Sequence, residues 1–431
     1  MAGPRRRRRS RQGPPRPPTT DGFGRQPASL LRGEFGFDHR PETDQSFENA
    51  LAKARDGQRL SVADGIELIT TGTDRPGIDR QRKELVLEAA DRRRAETVGD
   101  EVTFVANLNN NVTTACNTGC LFCNFKDRSE KFRSANDESH GGFTKTPAES
   151  RQIVASALER GIYEVCSVSG LHPAFALDAE HREILEASDR GDLNYRPPAE
   201  YGTDPATYCE QIRAMNVGGV HVHSMTPEEA YHARRGTDWS YEEVFERLQA
   251  AGLDSVPGTA AEILVDEVRD VICPGKIDTG EWLEAMEAAA NVGLDTTATR
   301  NTPLHERGMV DAGATTDEDE LMIAVSRLFL DNIEHIQSSW VKYGDEQGLK
   351  MLSCGADDFM GTILSEEITK RAGGEFGQYR SVSEYVEMID AIGRTPVERS
   401  TDYRERRRID PDDTAHGPEL GPKADGTPLV E

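Results

Sequence analysis

Apolar residues recur at helical spacing, with charged faces between them, over Ser46–Arg55, Val62–Thr70 and Asp79–Thr97. Ser61 is placed to cap the second of these helices. From residue 102 the pattern alternates. Strand-like runs are Val102–Leu108, Tyr163–Val168, Gly219–Met225, Leu253–Pro257, Leu294–Thr299, His335–Trp340 and Ser353–Asp357. Between them lie amphipathic helices at Thr146–Arg160, Asp204–Met215, Tyr241–Ala251, Glu281–Asn291, Asp317–Phe329 and Glu346–Leu352, with two more from Glu366 and over Val382–Ile392. Thr146 and Pro147 suit the N-cap and first helical position.

Strands alternating with helices predict an α/β fold in which a parallel sheet is wrapped by helices. At this length a (β/α) TIM-type barrel preceded by N-terminal helices is the natural closure, with its site at the C-terminal ends of the strands. The expected organisation is a basic Pro/Arg-rich tail (1–35), a helical lead-in (36–100), the barrel (101–394) and a charged C-terminal tail (395–431). No apolar run approaches the roughly 20 residues of a membrane span. The arginines near the start precede no apolar core, so they do not read as an export signal.

The net charge is −25, from 76 acidic and 51 basic residues. This excess argues against nucleic acid as a partner. Spread along the whole chain, it suits a halophilic, salt-rich cytoplasm in which screening removes self-repulsion, with a merely acidic mesophile as the alternative.

Chemistry concentrates in one loop. Cys116, Cys120 and Cys123, in C-N-T-G-C-L-F-C, follow the first strand with spacing C-x3-C-x2-C. Seven cysteines, three of them clustered, are not a disulfide framework and fit a reducing compartment. Cys166, Cys209, Cys273 and Cys354 are scattered and read as small buried residues. A structural zinc site takes four protein ligands, so the triad needs a distant fourth such as His140. Alternatively, three thiolates hold three corners of a [4Fe-4S] cluster, leaving one iron open.

The triad, with Phe122 directly before its third cysteine, resembles the radical S-adenosylmethionine (SAM) signature. The resemblance implies that SAM chelates the open iron and is split to a 5′-deoxyadenosyl radical. Several motifs narrow the likeness: S-G-L-H-P (Ser169–Pro173), H-V-H-S-M-T-P (His221–Pro227), V-P-G-T-A-A-E-I-L-V-D-E-V-R (Val256–Arg269), I-C-P-G-K (Ile272–Lys276), I-Q-S-S-W-V-K (Ile336–Lys342) and C-G-A-D-D-F-M-G-T (Cys354–Thr362). In this order they resemble the second, CofH-type subunit of 7,8-didemethyl-8-hydroxy-5-deazariboflavin (FO) synthase, over most of residues 40–395. Aminofutalosine synthase and dehypoxanthinyl futalosine cyclase of menaquinone biosynthesis are similar, and an inactive cluster-binding paralogue is a reading of another class.

The resemblance implies coupling of a 4-hydroxybenzyl unit from L-tyrosine to 5-amino-6-(D-ribitylamino)uracil in coenzyme F420 biosynthesis. It also implies an electron donor and a companion CofG-type radical-SAM subunit, since this chain carries one cysteine triad. Cys116, Cys120 and Cys123 would bind the cluster. Phe122 would lie near the adenine, and Ser169-Gly170 at the turn that meets the SAM amino group. The family shows two glycines at that turn, and this chain has one.

His221 and His223, two apart on one strand face, are candidates for substrate binding or for packing. Glu262 is placed either to meet SAM or to cap a helix. Asp357 and Asp358 suit ribityl hydroxyls or a helix N-cap.

One departure stands out. After L-D-T-T-A-T (Leu294–Thr299) the chain reads R-N-T-P-L-H-E-R-G, where the family continues through a tyrosine-glycine-histidine motif, a helix and another strand. The resemblance implies that one strand–helix unit, roughly 30–40 residues, is missing, leaving seven strands where eight close a barrel.

Overall fold

The computed structural model describes residues 44–71, 78–116, 118, 120, 123, 143–187, 206–297, 314–364, 379–404 and 406–412. Three helices lead in, at Asp44–Arg55, Val62–Ile69 and Arg80–Val98. Ser61 caps the second through a capping box with Asp64. Thr146 does the same for helix Pro147–Leu158 with Glu149. The strands are β1 (Glu101–Val105), β2 (Asn107–Asn109), β3 (Glu164–Ser167), β4 (His221–Ser224), β5 (Ser255–Val256), β6 (Asp295–Thr296), β7 (Asp358–Gly361), β8 (Thr395–Arg399) and β9 (Arg406–Arg408).

One sheet has the order β2-β3-β4-β5-β6, and its pairs are all parallel. The other runs β7-β1-β8-β9. Residues 101–109 belong to both sheets: β1 pairs with β7 and β8, while β2 pairs with β3 and Leu108 bridges to Leu364. This shared strand turns two sheets into one curved wall. Gln337 extends it by a parallel bridge to Asp358.

The two faces of the wall differ in chemistry. Val165, Val222 and Val256 sit in the main apolar cluster with Met215, Leu248 and Ala285 of the outer helices. Side chains alternate along a strand, so the residues between them face inward. The register sets Asn109, Cys166, His223, Ser255 and Asp295 in one row across five strands, above Asn107, Glu164 and His221. The inner face is therefore polar. Ser255 Oγ lies 2.6 Å from both His221 Nε2 and His223 Nδ1.

The wall has a seam. Among the described residues β6 pairs with β5 alone, and the segment around Gln337 pairs with β7 alone. Both residues of β6 are exposed, where a closed wall would bury one face.

Several expectations change here. Ser353–Asp357 is a turn, and the strand starts at Asp358, one residue beyond the expected run. Residues 335–340 form one bridge rather than a strand, because a helix already begins at Trp340. Residues 395–399 and 406–408, expected within a charged tail, are strands paired to β1 and to each other. Their alternation was hidden by arginines that pair across strands: Arg406 and Arg408 with Glu101, and Arg407 with Glu398. The helix expected from Glu366 lies outside the described residues.

Asp357 and Asp358 are not helix caps. Asp358 is fully buried and paired with Arg399 at 2.5 Å, and it also accepts from Thr103 and Gln337. Burial alone raises its pKa, but Arg399 and these hydrogen bonds outweigh burial and hold the carboxyl below its usual range. Asp357 binds Arg327 and His335. Both carboxylates are spent on architecture.

Replacing Arg399 with Met leaves Asp358 charged and buried, and is expected to destabilise the fold by about 3–5 kcal/mol. Denaturant unfolding at pH 7 checks this. Because the folded carboxyl has the lower pKa, its contribution is present above the unfolded value of about 4 and fades as pH falls below it. The difference between wild type and R399M should shrink accordingly in acid.

Candidate functional site

The C-terminal end of β2 runs into the cysteine loop. Thr113 bridges to Thr144, and the Thr114 N–H donates to Phe143 O at 3.0 Å, so a short antiparallel contact steadies the loop's entry. Cys120 is buried, whereas Cys116 and Cys123 are half-buried. The Cys123 N–H donates to Cys120 O at 3.3 Å. Cys120 and Cys123 pack with Cys273, Val268 and Ile272 in a separate apolar cluster. Burial pushes the Cys120 thiol well up, with nearby Lys276 acting against it. Such a thiol becomes a ligand when a metal site supplies the compensating charge.

Among the described residues no three His, Cys, Asp or Glu side chains converge on a single ion point. His140 and Phe122 lie outside the described residues. The donor set and its apolar wall fit a [4Fe-4S] cluster.

Two glycines make the loop's seat. A Cβ on Gly170 would lie 2.3 Å from Ala115 O and 3.2 Å from Cys116 Cβ. A Cβ on Gly275 would lie 2.5 Å from Thr118 O. Neither position has room for a side chain, so backbone meets backbone on two sides of the triad. The Gly170 N–H donates to Thr113 O at 2.9 Å. Ser169 Oγ accepts from the Val112 N–H at 2.7 Å, and the Ser169 backbone N–H is bonded to Glu229. Ser169 and Gly170 thus both tie the turn after β3 to the chain entering the loop.

Behind this turn a small cavity is lined by Ser167, Ser169, Phe175, Tyr208, Ser224 and Glu229, among others. Burial raises Glu229 to about 7, and the neighbouring Glu228 to about 7 as well. His172 is pulled down to about 4 by burial and by Arg235, and so stays neutral near pH 7.

Glu262 does not cap the following helix, Asp266–Ile272, whose N-cap Val265 has no side-chain bond. Its carboxylate instead meets Lys276 Nζ at 2.8 Å, and both side chains are largely buried. Glu262 (φ 48°) and Ala260 (φ 69°) are left-handed, a conformation that L-residues rarely hold without support. Arg269 supplies it: its guanidinium donates to the carbonyls of Ala260, Ala261, Ile263 and Ile277. Neither the role of Arg269 nor the approach of Cys273 to the triad follows from spacing. The I-C-P-G-K motif was the available signal.

Residues 110–307 match the radical SAM superfamily, and residues 296–411 match the CofH/MqnC C-terminal region. The crystal structure of HydG, a maturase of the [FeFe]-hydrogenase, superposes with a TM-score of 0.55 at 13% identity, over 87% of this chain and 80% of that one. This likeness concerns the fold. Wall, triad and sequence match together define a radical SAM protein.

The chain is 74% identical, over 438 positions, to the 5-amino-6-(D-ribitylamino)uracil--L-tyrosine 4-hydroxyphenyl transferase of Haloarcula marismortui, covering 93% of this chain and 97% of that protein. The transferase of the same name in Halobacterium salinarum is 65% identical over 433 positions, covering 91% and 95%. This chain belongs to that transferase family, the CofH-type subunit of FO synthase. The acid-rich surface accords with these halophilic relatives.

Both alignments contain positions that this chain lacks. The Haloarcula alignment has 438 positions, whereas 93% of 431 residues is about 401, so about 37 positions are filled in the relative alone. The same subtraction for Halobacterium, 433 against 91% or about 392, leaves about 41. One strand–helix unit has this length.

Substituting Gly170 with Ala forces the turn off the Ala115 carbonyl. The variant is expected to lose more than half of the iron bound by wild type after anaerobic reconstitution, measured as iron and sulfide per chain.

Proposed function

We infer that this chain couples L-tyrosine to 5-amino-6-(D-ribitylamino)uracil, giving 5-amino-5-(4-hydroxybenzyl)-6-(D-ribitylimino)-5,6-dihydrouracil for FO and coenzyme F420. The observation that carries this is the 74% identity over nearly the whole of a relative named for that transfer. Cys116, Cys120 and Cys123 would hold the cluster, and the Ser169-Gly170 turn, with Phe122, would serve SAM. When bound, cluster and SAM supply a one-electron cleavage that yields a hydrogen-abstracting radical.

The chain's own residues bind, orient and enclose. The polar row Asn109, Cys166, His223 and Ser255 faces the lumen below the cysteine loop and offers hydrogen bonds to a polyhydroxylated uracil and a phenol. The apolar shell outside the wall keeps that row rigid. The product passes to a companion CofG-type subunit in the cytoplasm, and a separate donor reduces the cluster. No described helix is long and apolar enough to cross a membrane.

Anaerobically reconstituted protein given SAM, dithionite, tyrosine and the diaminouracil is expected to form the adduct together with 5′-deoxyadenosine. Formation of 5′-deoxyadenosine only with a futalosine-pathway substrate would overturn the assignment.

The seam favours a second reading, a cluster-binding protein with impaired coupling. A wall lacking one strand–helix unit would admit water and leave two strand edges unpaired. Inserting a strand–helix unit from the Haloarcula relative after Thr299 is expected to raise adduct formed per 5′-deoxyadenosine about tenfold, or ~1.4 kcal/mol in relative barrier. Equal coupling with and without the insert would show that the seam is harmless.

A further inference from the structure

The loop Cys273–Lys276 is seated directly on the cysteine triad, yet its lysine has no role in the reading above. Cys273 packs with Cys120 and Cys123, and Gly275 abuts Thr118, which lies between Cys116 and Cys120 in sequence. The Lys276 N–H donates to Cys273 O at 2.9 Å, turning the chain so that the lysine follows closely. Its ammonium meets Glu262 at 2.8 Å in a largely buried pair. Arg269 locks both sides of that pair, holding the left-handed turn at Glu262 and the carbonyl of Ile277 beside Lys276.

We propose that Lys276 is a tuning residue for the cluster: a positive charge held against the Cys120 corner by Glu262 and Arg269, which favours the added electron on reduction. This rests on the cluster-binding reading and goes beyond it.

The effect is electrostatic. Fe–S potentials respond to net charge, to hydrogen bonds at sulfur and to exposure. Charges interact more strongly in a poorly solvated pocket than in water. Glu262, 2.8 Å from the ammonium in a largely buried pair, keeps the charge of Lys276 in place. A lysine needed only as a partner for Glu262 has no reason to sit on a loop whose glycine is pressed against the cysteine turn. The strained turn at Glu262 has the same consequence, because it aims the carboxylate at the lysine and keeps the ammonium from swinging out to solvent.

The test is a redox titration of the reconstituted protein without SAM, followed by electron paramagnetic resonance of the reduced cluster, with iron per chain measured in parallel. Lys276→Met is expected to keep its iron and to shift the reduction equilibrium about tenfold toward the oxidised form, a negative shift of about 59 mV for one electron. Lys276→Arg should restore the wild-type value. Glu262→Gln removes the countercharge and should shift the potential the other way.

Unchanged potentials in both K276M and E262Q at full iron content, or shifts of the same sign, would overturn the proposal. Equal iron loss in K276M and K276R would also overturn it, marking the contact as purely structural. If K276M does not fold, the sign of the E262Q shift decides. Wild type that binds no cluster defeats the underlying reading instead, and the iron measurement makes that outcome distinct.

Discussion

The constraint on which the site depends is the absence of two Cβ atoms. Gly170 and Gly275 let two chain segments, from the end of β3 and from the loop after helix Asp266–Ile272, touch the backbone of the cysteine loop on either side. A loop carrying three thiolates in eight residues has little apolar surface of its own, and one turn cannot fold by itself. Contact at Ala115 and Thr118 supplies the walls. The bonds of Ser169 to Val112 and of Gly170 to Thr113 carry that restraint back into the strand order. The cysteines are thereby presented at the strand ends, where the parallel wall opens.

The wall itself is built inside out relative to an ordinary core. Its apolar side faces the helices, where Val165, Val222 and Val256 are buried, and its polar side faces the lumen. Such an interior is affordable only because its groups satisfy one another. His221 and His223 share Ser255, Glu164 accepts from Asn107 and Thr401, and Arg399 pairs with Asp358. The seam between β6 and Gln337 is the one place, among the described residues, where this enclosure is broken. The homologous proteins carry about 40 further positions. The family relation rests on the rest of the chain and is untouched by the seam.

Much of this was legible in the residues. The cysteine spacing, the alternation of strand and helix, and the caps at Ser61 and Thr146 are local signals, and each reappears in the structure. What misled was also local. Asp357 and Asp358 look like caps beside a glycine, and residues 395–408 look like a charged tail, because their partners lie far away in sequence. Arg399 explains Asp358 across 41 residues, and Glu101 explains Arg406 across 305.

The sequence by itself determined the cysteine spacing and the parallel α/β order, since both are written in short-range spacing and periodicity. Only the tertiary structure decided which charges are structural and which approach the site. Asp358 was drawn into a buried ion pair, while Glu262 and Lys276 were brought together beside Cys120. The physical reason is that the free energy of a buried charge is set by what surrounds it in space. No interval along the chain encodes that neighbour until the wall has closed around it.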